Sequence, residues 1–328
     1  MDELIKRFQE QIEEAINISS AANLTNLDKS INKVLILGMG GSGIAGKFVS
    51  AVSDRYGKIP IFTSNDYDIP SWVDEFTLVI ASSYSGNTEE TLEALTKLKG
   101  INVKIVSITS GGKLKKISSK SNFDTINIPD NWPAPRACFG YSFVAQLYVL
   151  RRFGAIDIDL ENELGNALRL LSDESDSIIE IAKEIALRLV DKYPVIYSGS
   201  LFEPLSIRFK QQLNENAKTL AHHAVVPEMN HNELVGWARE YENIAVIFIR
   251  SGFYSERVNM RIELSKNIII KYVNTMIEIE AKGDRFIQQL LYLVNITDWV
   301  SFYLAEAKGV DVMEIANINF LKEQLAKV

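Results

Sequence analysis

Short apolar runs alternate with amphipathic stretches along the first half of the chain. The runs are rich in β-branched residues and predict strands at Val34–Leu37, Ile59–Ser64, Leu78–Ser82 and Val103–Thr109. Stretches with helical spacing follow the first strand as far as about Val52 and the third strand over about Thr88–Leu98. Continuous β-branched strands separated by helices are typical of a parallel sheet that is covered on both faces.

The second half of the chain repeats this order. Helices are predicted over Leu160–Asp191, Glu203–Ala217 and Arg285–Ala307, and strands over Val195–Tyr197, Ala245–Ile249 and Ile268–Val273. A chain of 328 residues also suits two domains of about 150 residues each. We therefore predict an α/β protein with two doubly wound domains, residues 1–153 and 154–328, each a parallel sheet flanked by helices.

Composition narrows the classes of function. The net charge is -7, and a nucleic-acid-binding protein would show a basic stripe or patch. The single cysteine, Cys138, excludes an internal disulfide framework, and with three histidines far from it a structural zinc site is not indicated. No apolar run approaches the roughly 20 residues that span a bilayer. We predict a cytoplasmic protein without nucleic-acid or membrane partners.

A glycine-rich segment follows the first strand. Gly38, Gly40 and Gly43 satisfy G-x-G-x-x-G, and Asp66 lies at about the distance at which a dinucleotide fold holds a ribose. The same glycines also suit a plain, tight strand-to-helix turn. The motif alone leaves both interpretations open.

The segment Ser82–Leu92, SSYSGNTEETL, lies at a strand end and at a helix start. Helix N-termini present unpaired N–H groups that favour an anion, and Gly86 lets the backbone approach one closely. The alternative is N-capping by Asn87 or Thr88, with Glu90 completing a capping box. One cap needs one hydroxyl, whereas a phosphate can use several. Without a Walker lysine, we predict one phosphate on a small molecule.

Several motifs resemble a known family. GMGGSGIAG and SSYSGNTEETL resemble the first sugar isomerase (SIS) domain, and PRACFGYS, NENAK, PEMNHNELVGW and AEAKGVDV follow in the order found in archaeal-type bifunctional phosphoglucose/phosphomannose isomerases. The resemblance covers most of the chain. It implies two SIS domains per subunit, a homodimer, hexose 6-phosphate substrates and no metal or cofactor.

The resemblance also implies roles for individual residues. The substrate-binding residues would be Gly41, Ser42, Ser83, Ser85, Thr88 and Ser301. Arg136 would be the active-site arginine and Glu215 the base. His231, contributed to the neighbouring subunit's site, and Lys308 would act in ring opening. Ser301 stands where the family carries a threonine that makes room for mannose, so this chain keeps the hydroxyl and loses a methyl group.

These residue types suit an aldose–ketose isomerase. A carboxylate can move a proton between C1 and C2, an arginine stays protonated beside an enediolate, and a histidine titrates near neutral pH. Each also has a structural interpretation: Glu215 on a solvated helix face, Arg136 on the surface, and Lys308 at a helix C-terminus. The residues alone leave His222 and His223 as candidates beside His231.

Two other functions remain as alternatives to the isomerase. A non-catalytic sugar-phosphate sensor would keep the serine cluster without needing the four catalytic candidates together. A dinucleotide oxidoreductase would rest on the glycines alone. An amidotransferase-linked isomerase is not indicated, because the chain begins with Met1–Asp2 and carries no catalytic cysteine there.

Overall fold

The computed structural model describes residues 1–27 and 29–327. The chain forms two compact units. The unit that we call the N-terminal unit comprises Lys6–Arg169 and Arg285–Ile287. The C-terminal unit comprises Met1–Ile5, Leu170–Asp284 and Gln288–Val328.

The first half of the chain supplies one sheet. Its strands are β1 Lys33–Leu37, β2 Ile61–Ser64, β3 Thr77–Ser82, β4 Lys104–Thr109 and β5 Asp124–Asn127. Its helices are α1 Asp2–Lys6, α2 Phe8–Ser20, α3 Gly40–Tyr56, α4 Glu89–Thr96, α5 Gly112–Ser121, α6 Phe139–Arg152 and α7 Leu160–Asp173. All strand pairs are parallel, in the order β2-β1-β3-β4-β5.

This strand order reverses between β1 and β3. Leu37 of β1 pairs with Ala81 of β3, so the two strands end side by side. Helices cover the sheet, and Leu35 and Val79 belong to a core cluster that also contains Leu114 of α5. Ligands of open α/β sheets bind outside the carboxyl ends of the strands at such a reversal.

The second half of the chain supplies the other sheet. Its strands are β6 Tyr193–Gly199, β7 His222–Val226, β8 Tyr241–Arg250 and β9 Val273–Glu280. Its helices are α8 Ser175–Leu189, α9 Glu203–Ala217, α10 Glu256–Ile269, α11 Phe286–Lys308 and α12 Ala316–Leu325. These strands are also parallel, in the order β7-β6-β8-β9. The predicted fold class, two parallel sheets flanked by helices, is confirmed.

The strand predicted at Ile268–Val273 is wrong. Ile268 and Ile269 end α10, and β9 begins only at Val273. The run of isoleucines looks β-branched, but Ile262 and Ile269 are buried with helical spacing. The true strand, VNTMIEIE, is a less continuous apolar run, because exposed positions alternate with buried ones in its second half.

No helix in the described part of the chain is long and apolar enough to cross a bilayer.

Candidate active site

The glycine-rich loop that follows β1 and the loop Ser83–Thr88 that follows β3 meet beyond the ends of these strands. A Cβ placed on Gly38 would lie 3.0 Å from the carbonyl oxygen of Ser82, so the glycine-rich loop runs directly against the end of β3. On its other side, a Cβ on Gly41 would lie 3.0 Å from the carbonyl oxygen of Pro135. The glycines therefore allow three backbone segments to approach one another closely.

The hydroxyls of the loop Ser83–Thr88 form hydrogen bonds within that loop. Ser83 Oγ lies 2.7 Å from Thr88 Oγ1, and it accepts the Gly86 N–H at 3.1 Å. Thr88 occupies the N-cap position of α4, yet its side chain makes no capping hydrogen bond. The capping interpretation of this cluster is therefore wrong. A phosphate oxygen is the kind of partner that such an uncapped N-terminus favours.

Helix α5 holds this loop from the opposite side. Gly86 has a φ of 64°, and a Cβ there would overlap the carbonyl oxygen of Gly111. The Leu114 N–H donates to the Gly86 carbonyl at 2.8 Å, and the Lys113 N–H donates to Asn87 Oδ1 at 3.0 Å. Asn87 thus caps α5 instead of α4. The loop is fixed in shape by these bonds.

Arg136 lies in a short 3-10 helix, Pro135–Ala137, and only 6% of it is exposed. The backbone of this helix packs against Gly41, as described above. Ser42 Oγ lies 3.4 Å from Ser142 Oγ, which joins α3 to α6. Arg136 therefore shares one region of the N-terminal unit with the predicted phosphate loop and is not a surface arginine.

The C-terminal unit contains a comparable loop before α10, but there the N-terminus of the helix is capped. Ser255 is the N-cap of α10, and its side chain accepts the Val258 N–H at 3.3 Å. At the end of β6, a Cβ on Gly199 would lie 2.5 Å from Cε1 of Tyr254. Burial raises the pKa of Tyr254. Here the hydroxyl caps the helix and an aromatic ring fills the space beside the glycine, in contrast to the first sheet.

Glu215 and Lys308 converge on the C-terminus of α9. Glu215 lies in the last turn and is partly buried. Lys308 Nζ donates to the Ala217 carbonyl at 3.1 Å and to Thr219 Oγ1 at 2.6 Å. Lys218, the C-cap, donates from Nζ to the Glu215 carbonyl at 2.7 Å. Lys308 ends its own helix, but it binds the end of a different one.

Ser301 is fully buried beside this group. Its hydroxyl donates to the Asp298 carbonyl at 2.7 Å and accepts from Asn216 Nδ2 at 2.9 Å. Ser301 is therefore linked by one hydrogen bond to the residue that follows Glu215. Burial raises the pKa of the Asp298 carboxyl, although the Arg208 guanidinium opposes the shift.

His231 ends the short 3-10 helix Glu228–His231 and is exposed. Among the residues that the structure describes, no hydrogen bond or ion pair joins His231 to Glu215 or Lys308. His222 instead contacts Glu233, with 2.9 Å between Nε2 and Oε2.

Glu233 has a second partner. It accepts from the Tyr197 hydroxyl at 2.6 Å. Burial and Glu233 together raise the pKa of Tyr197. His222 thus belongs to a side-chain network with Glu233 and Tyr197, and both His222 and His231 are exposed.

Sequence reasoning did not single out Asn87 as a helix cap for α5, Thr219 as a lysine partner, or Gly111 and Gly112. The only available signal was the Gly-Gly pair after β4.

Asp66, the candidate ribose ligand, is exposed and accepts the Tyr67 N–H at 2.6 Å.

Comparisons with known proteins agree with these motifs. The SIS domain model matches residues 29–153, and the model of the bacterial phospho-glucose isomerase C-terminal SIS domain matches residues 179–325. The chain is 35% identical over 340 aligned residues to the bifunctional phosphoglucose/phosphomannose isomerase of Caldicellulosiruptor bescii, covering 100% of this chain and 99% of the relative. The chain belongs to the bifunctional phosphoglucose/phosphomannose isomerase family. The family resemblance seen in the sequence is thereby confirmed.

One further curated protein and one solved structure are also similar to this chain. The chain is 32% identical to a D-glucosamine-6-phosphate 4-epimerase of Sulfolobus acidocaldarius over 74% of each chain. Among solved structures, the C-terminal domain of glucosamine-fructose-6-phosphate aminotransferase from Francisella tularensis superposes with a TM-score of 0.73 and 19% identity, covering 95% of this chain and 97% of that one. This likeness supports the two-SIS-domain fold of the family.

Proposed function

We propose that this protein is a cytoplasmic aldose–ketose isomerase that interconverts glucose 6-phosphate or mannose 6-phosphate with fructose 6-phosphate. The observation that carries the proposal is the loop Ser83–Thr88, whose hydroxyls do not cap α4 although Thr88 stands at its N-cap. Family membership selects the chemistry. We assign residues 1–153 to the domain with the phosphate loop and 154–328 to the domain with the base, histidine and lysine.

The proposed mechanism divides the tasks among four residues. His231 and Lys308 open the sugar ring by moving a proton between the hydroxyl at C1 or C2 and the ring oxygen. Glu215 removes the C2 proton of the open aldose and returns it to C1, while the O2 proton moves to O1. The intermediate is a cis-enediolate, and Arg136 stabilises its negative charge because a guanidinium stays protonated.

An assay with fructose 6-phosphate in the presence of a chelator tests this function. Both aldose products are measured by NMR, and we expect both to form. Binding of fructose 6-phosphate without turnover would instead indicate a sugar-phosphate sensor. Titrations with NADH and with glucosamine 6-phosphate belong in the same series, and epimerisation of the amino sugar without isomerisation of fructose 6-phosphate would contradict the proposal.

Removing the Thr88 hydroxyl should weaken substrate binding. Thr88→Val keeps the shape and loses one hydrogen bond to a charged group, about 1.5–3 kcal/mol. We expect KM to rise roughly 10-fold or more with little change in kcat, because phosphate contacts are equal in substrate and transition state. Steady-state kinetics with fructose 6-phosphate measure this.

The matched control for this variant is Thr96→Val, at the other end of α4, where the hydroxyl donates to the Glu93 carbonyl. It should leave KM unchanged, and Thr88→Ser should stay close to wild type. A fall in kcat with a fixed KM in Thr88→Val would mean that the loop does not anchor the phosphate.

We propose that Ser301 does not line the sugar but supports Glu215 through its hydrogen bond to Asn216. Ser301→Ala removes the bond to the Asn216 amide, so we expect kcat to fall by a similar factor with glucose 6-phosphate and mannose 6-phosphate. Ser301→Thr keeps the hydroxyl and should retain both activities, with a lower Tm because a methyl group enters a packed interior. A changed ratio of the two activities in Ser301→Thr would show that this position lines the sugar directly.

A further inference from the structure

A buried glutamine from helix α2 reaches the segment that carries Arg136. None of Gln11 is exposed. Its Nε2 donates to the carbonyl of Ala137 at 2.7 Å, and its Oε1 accepts the N–H of Gly140 at 2.7 Å. Both ends of one amide are thus bonded to the backbone just after Arg136.

These two bonds do the work of a helix cap. Gly140 is the second residue of α6, and Cys138, at the N-cap, makes no side-chain capping bond. The first N–H groups of a helix need partners from outside it. Gln11 supplies one from far away in the sequence, and at the same time it satisfies the Ala137 carbonyl.

The neighbouring glycines are consistent with a tight fit. A Cβ on Gly140 would lie 2.5 Å from Gln11 Oε1, so a side chain there would displace the amide. From the other side, Gly41 of α3 packs against the Pro135 carbonyl. The short 3-10 helix with Arg136 therefore lies between α3 and the amide of Gln11.

Glu14 of α2 and Arg7, the N-cap of α2, contact the two ends of the same segment. Glu14 accepts from the Tyr141 hydroxyl, which in turn accepts from Trp132 Nε1 at 3.1 Å. The guanidinium of Arg7 lies 4.7 Å from the centre of the Trp132 ring. Helix α2 thus supports residues 132–141 at several points, and the bonds of Gln11 fall closest to Arg136.

We propose that Gln11 is a positioning residue that holds the guanidinium of Arg136 in place for the enediolate. This inference rests on the proposed function, in which Arg136 stabilises the charge of the intermediate. Without the amide, the Ala137 carbonyl and the Gly140 N–H lose their partners, and the segment must shift to satisfy them. A fixed charge stabilises a transition state only while it stays where the negative charge develops.

The first experiment compares Gln11→Leu with wild type. We expect kcat for fructose 6-phosphate to fall about 10-fold or more while KM changes by less than about 3-fold, because an interaction made only in the transition state is lost. If Gln11→Leu does not fold, Gln11→Met keeps the length and the neutral charge of the side chain and removes both amide hydrogen bonds. The same pattern is expected for it.

Asp124→Asn is the matched control. Asp124 begins β5, at the opposite edge from the carboxyl ends of the strands, and accepts the N–H of Thr25, which follows α2, at 2.8 Å. It anchors the same N-terminal segment of the chain without bonding residues 135–140. We expect a lower Tm with an unchanged kcat. An equal loss of kcat in Asp124→Asn and Gln11→Leu would mean that Gln11 has only a structural role.

A double-mutant cycle with Arg136→Met decides the question. If Gln11 acts through Arg136, adding Gln11→Leu to Arg136→Met should lower kcat by less than about 2-fold, since coupled residues are not additive. If the loss of kcat in the double variant equals the product of the two single losses, the inference is overturned. Wild-type protein without isomerase activity would contradict the proposed function itself, whereas active wild type with uncoupled residues contradicts the role of Gln11 alone.

Discussion

Glu215→Gln is expected to abolish nearly all isomerase activity while substrate binding is retained. The amide has the size of the carboxylate but cannot accept the C2 proton, so kcat should fall by roughly 10²–10⁴-fold, the range for loss of a general base. Exchange of the C2 hydrogen of the aldose with solvent should vanish in parallel. Steady-state kinetics and NMR in deuterium oxide measure the two effects.

Helix α9 offers a matched control for this change. Glu203 begins the same helix, and its side chain is 46% exposed. Glu203→Gln should keep kcat and the C2 exchange close to wild type. If Glu215→Gln still exchanges the C2 hydrogen, a different residue removes the proton. Glu215 then has only a structural role at the end of α9, beside Lys218.

Mixed dimers should regain activity from two inactive variants. If His231 serves the partner's site, a dimer of one Glu215→Gln subunit and one His231→Ala subunit has one site with both changes and one with neither. Dimers selected for both tags should then keep roughly half of wild-type activity, because each has one intact site and one inactive site. Co-expression with two affinity tags and an isomerase assay measure this.

The mixed preparation needs two comparisons. Each variant expressed alone should remain inactive, and wild type carrying both tags should keep full activity. Inactive dimers that carry both tags would show that His231 and Glu215 act within one chain. If the purified protein sediments as a monomer, no site can be shared between subunits, and the proposal is contradicted.

The hydrophobic pattern predicted the fold wherever strands are buried on both faces. β1, β3 and β8 contain continuous apolar runs, and each was predicted within a few residues. β5 and β7 were missed because DTIN and HHAVV lack such a run. Their place in the sheets depends on pairing with β4 and β6, the strands that precede them in the chain.

The site was predictable only where one segment contains its chemistry. The hydroxyls of Ser83–Thr88 stand together in the sequence, and so does the strand end that exposes them. The bonds of Gln11 to Ala137 and Gly140 join residues more than a hundred positions apart. A glutamine among the polar and apolar positions of an amphipathic helix gives no sign of such a partner, because local spacing contains no information about tertiary contacts.

The sequence also left the capping question open, and geometry resolved it. A threonine followed by two glutamates fits a capped helix as well as a ligand loop. The structure decides against the capped helix, because the Thr88 hydroxyl lies 2.7 Å from Ser83 Oγ and makes no capping bond. Ser255 shows the opposite outcome in a similar local sequence.

If the proposed phosphate site lies at the uncapped start of α4, the lifetime of the protein depends on its substrate. A missing N-cap costs a helix about 1 kcal/mol, and α4 has only 8 residues, so this helix contributes little stability by itself. Under the proposed function, a sugar phosphate bound there would complete the first turn of α4 and stabilise the folded state by about 2.7 kcal/mol at a ligand concentration 100 times Kd. Proteases that cleave opened chains would then remove the protein faster in cells depleted of hexose phosphate than in well-fed ones.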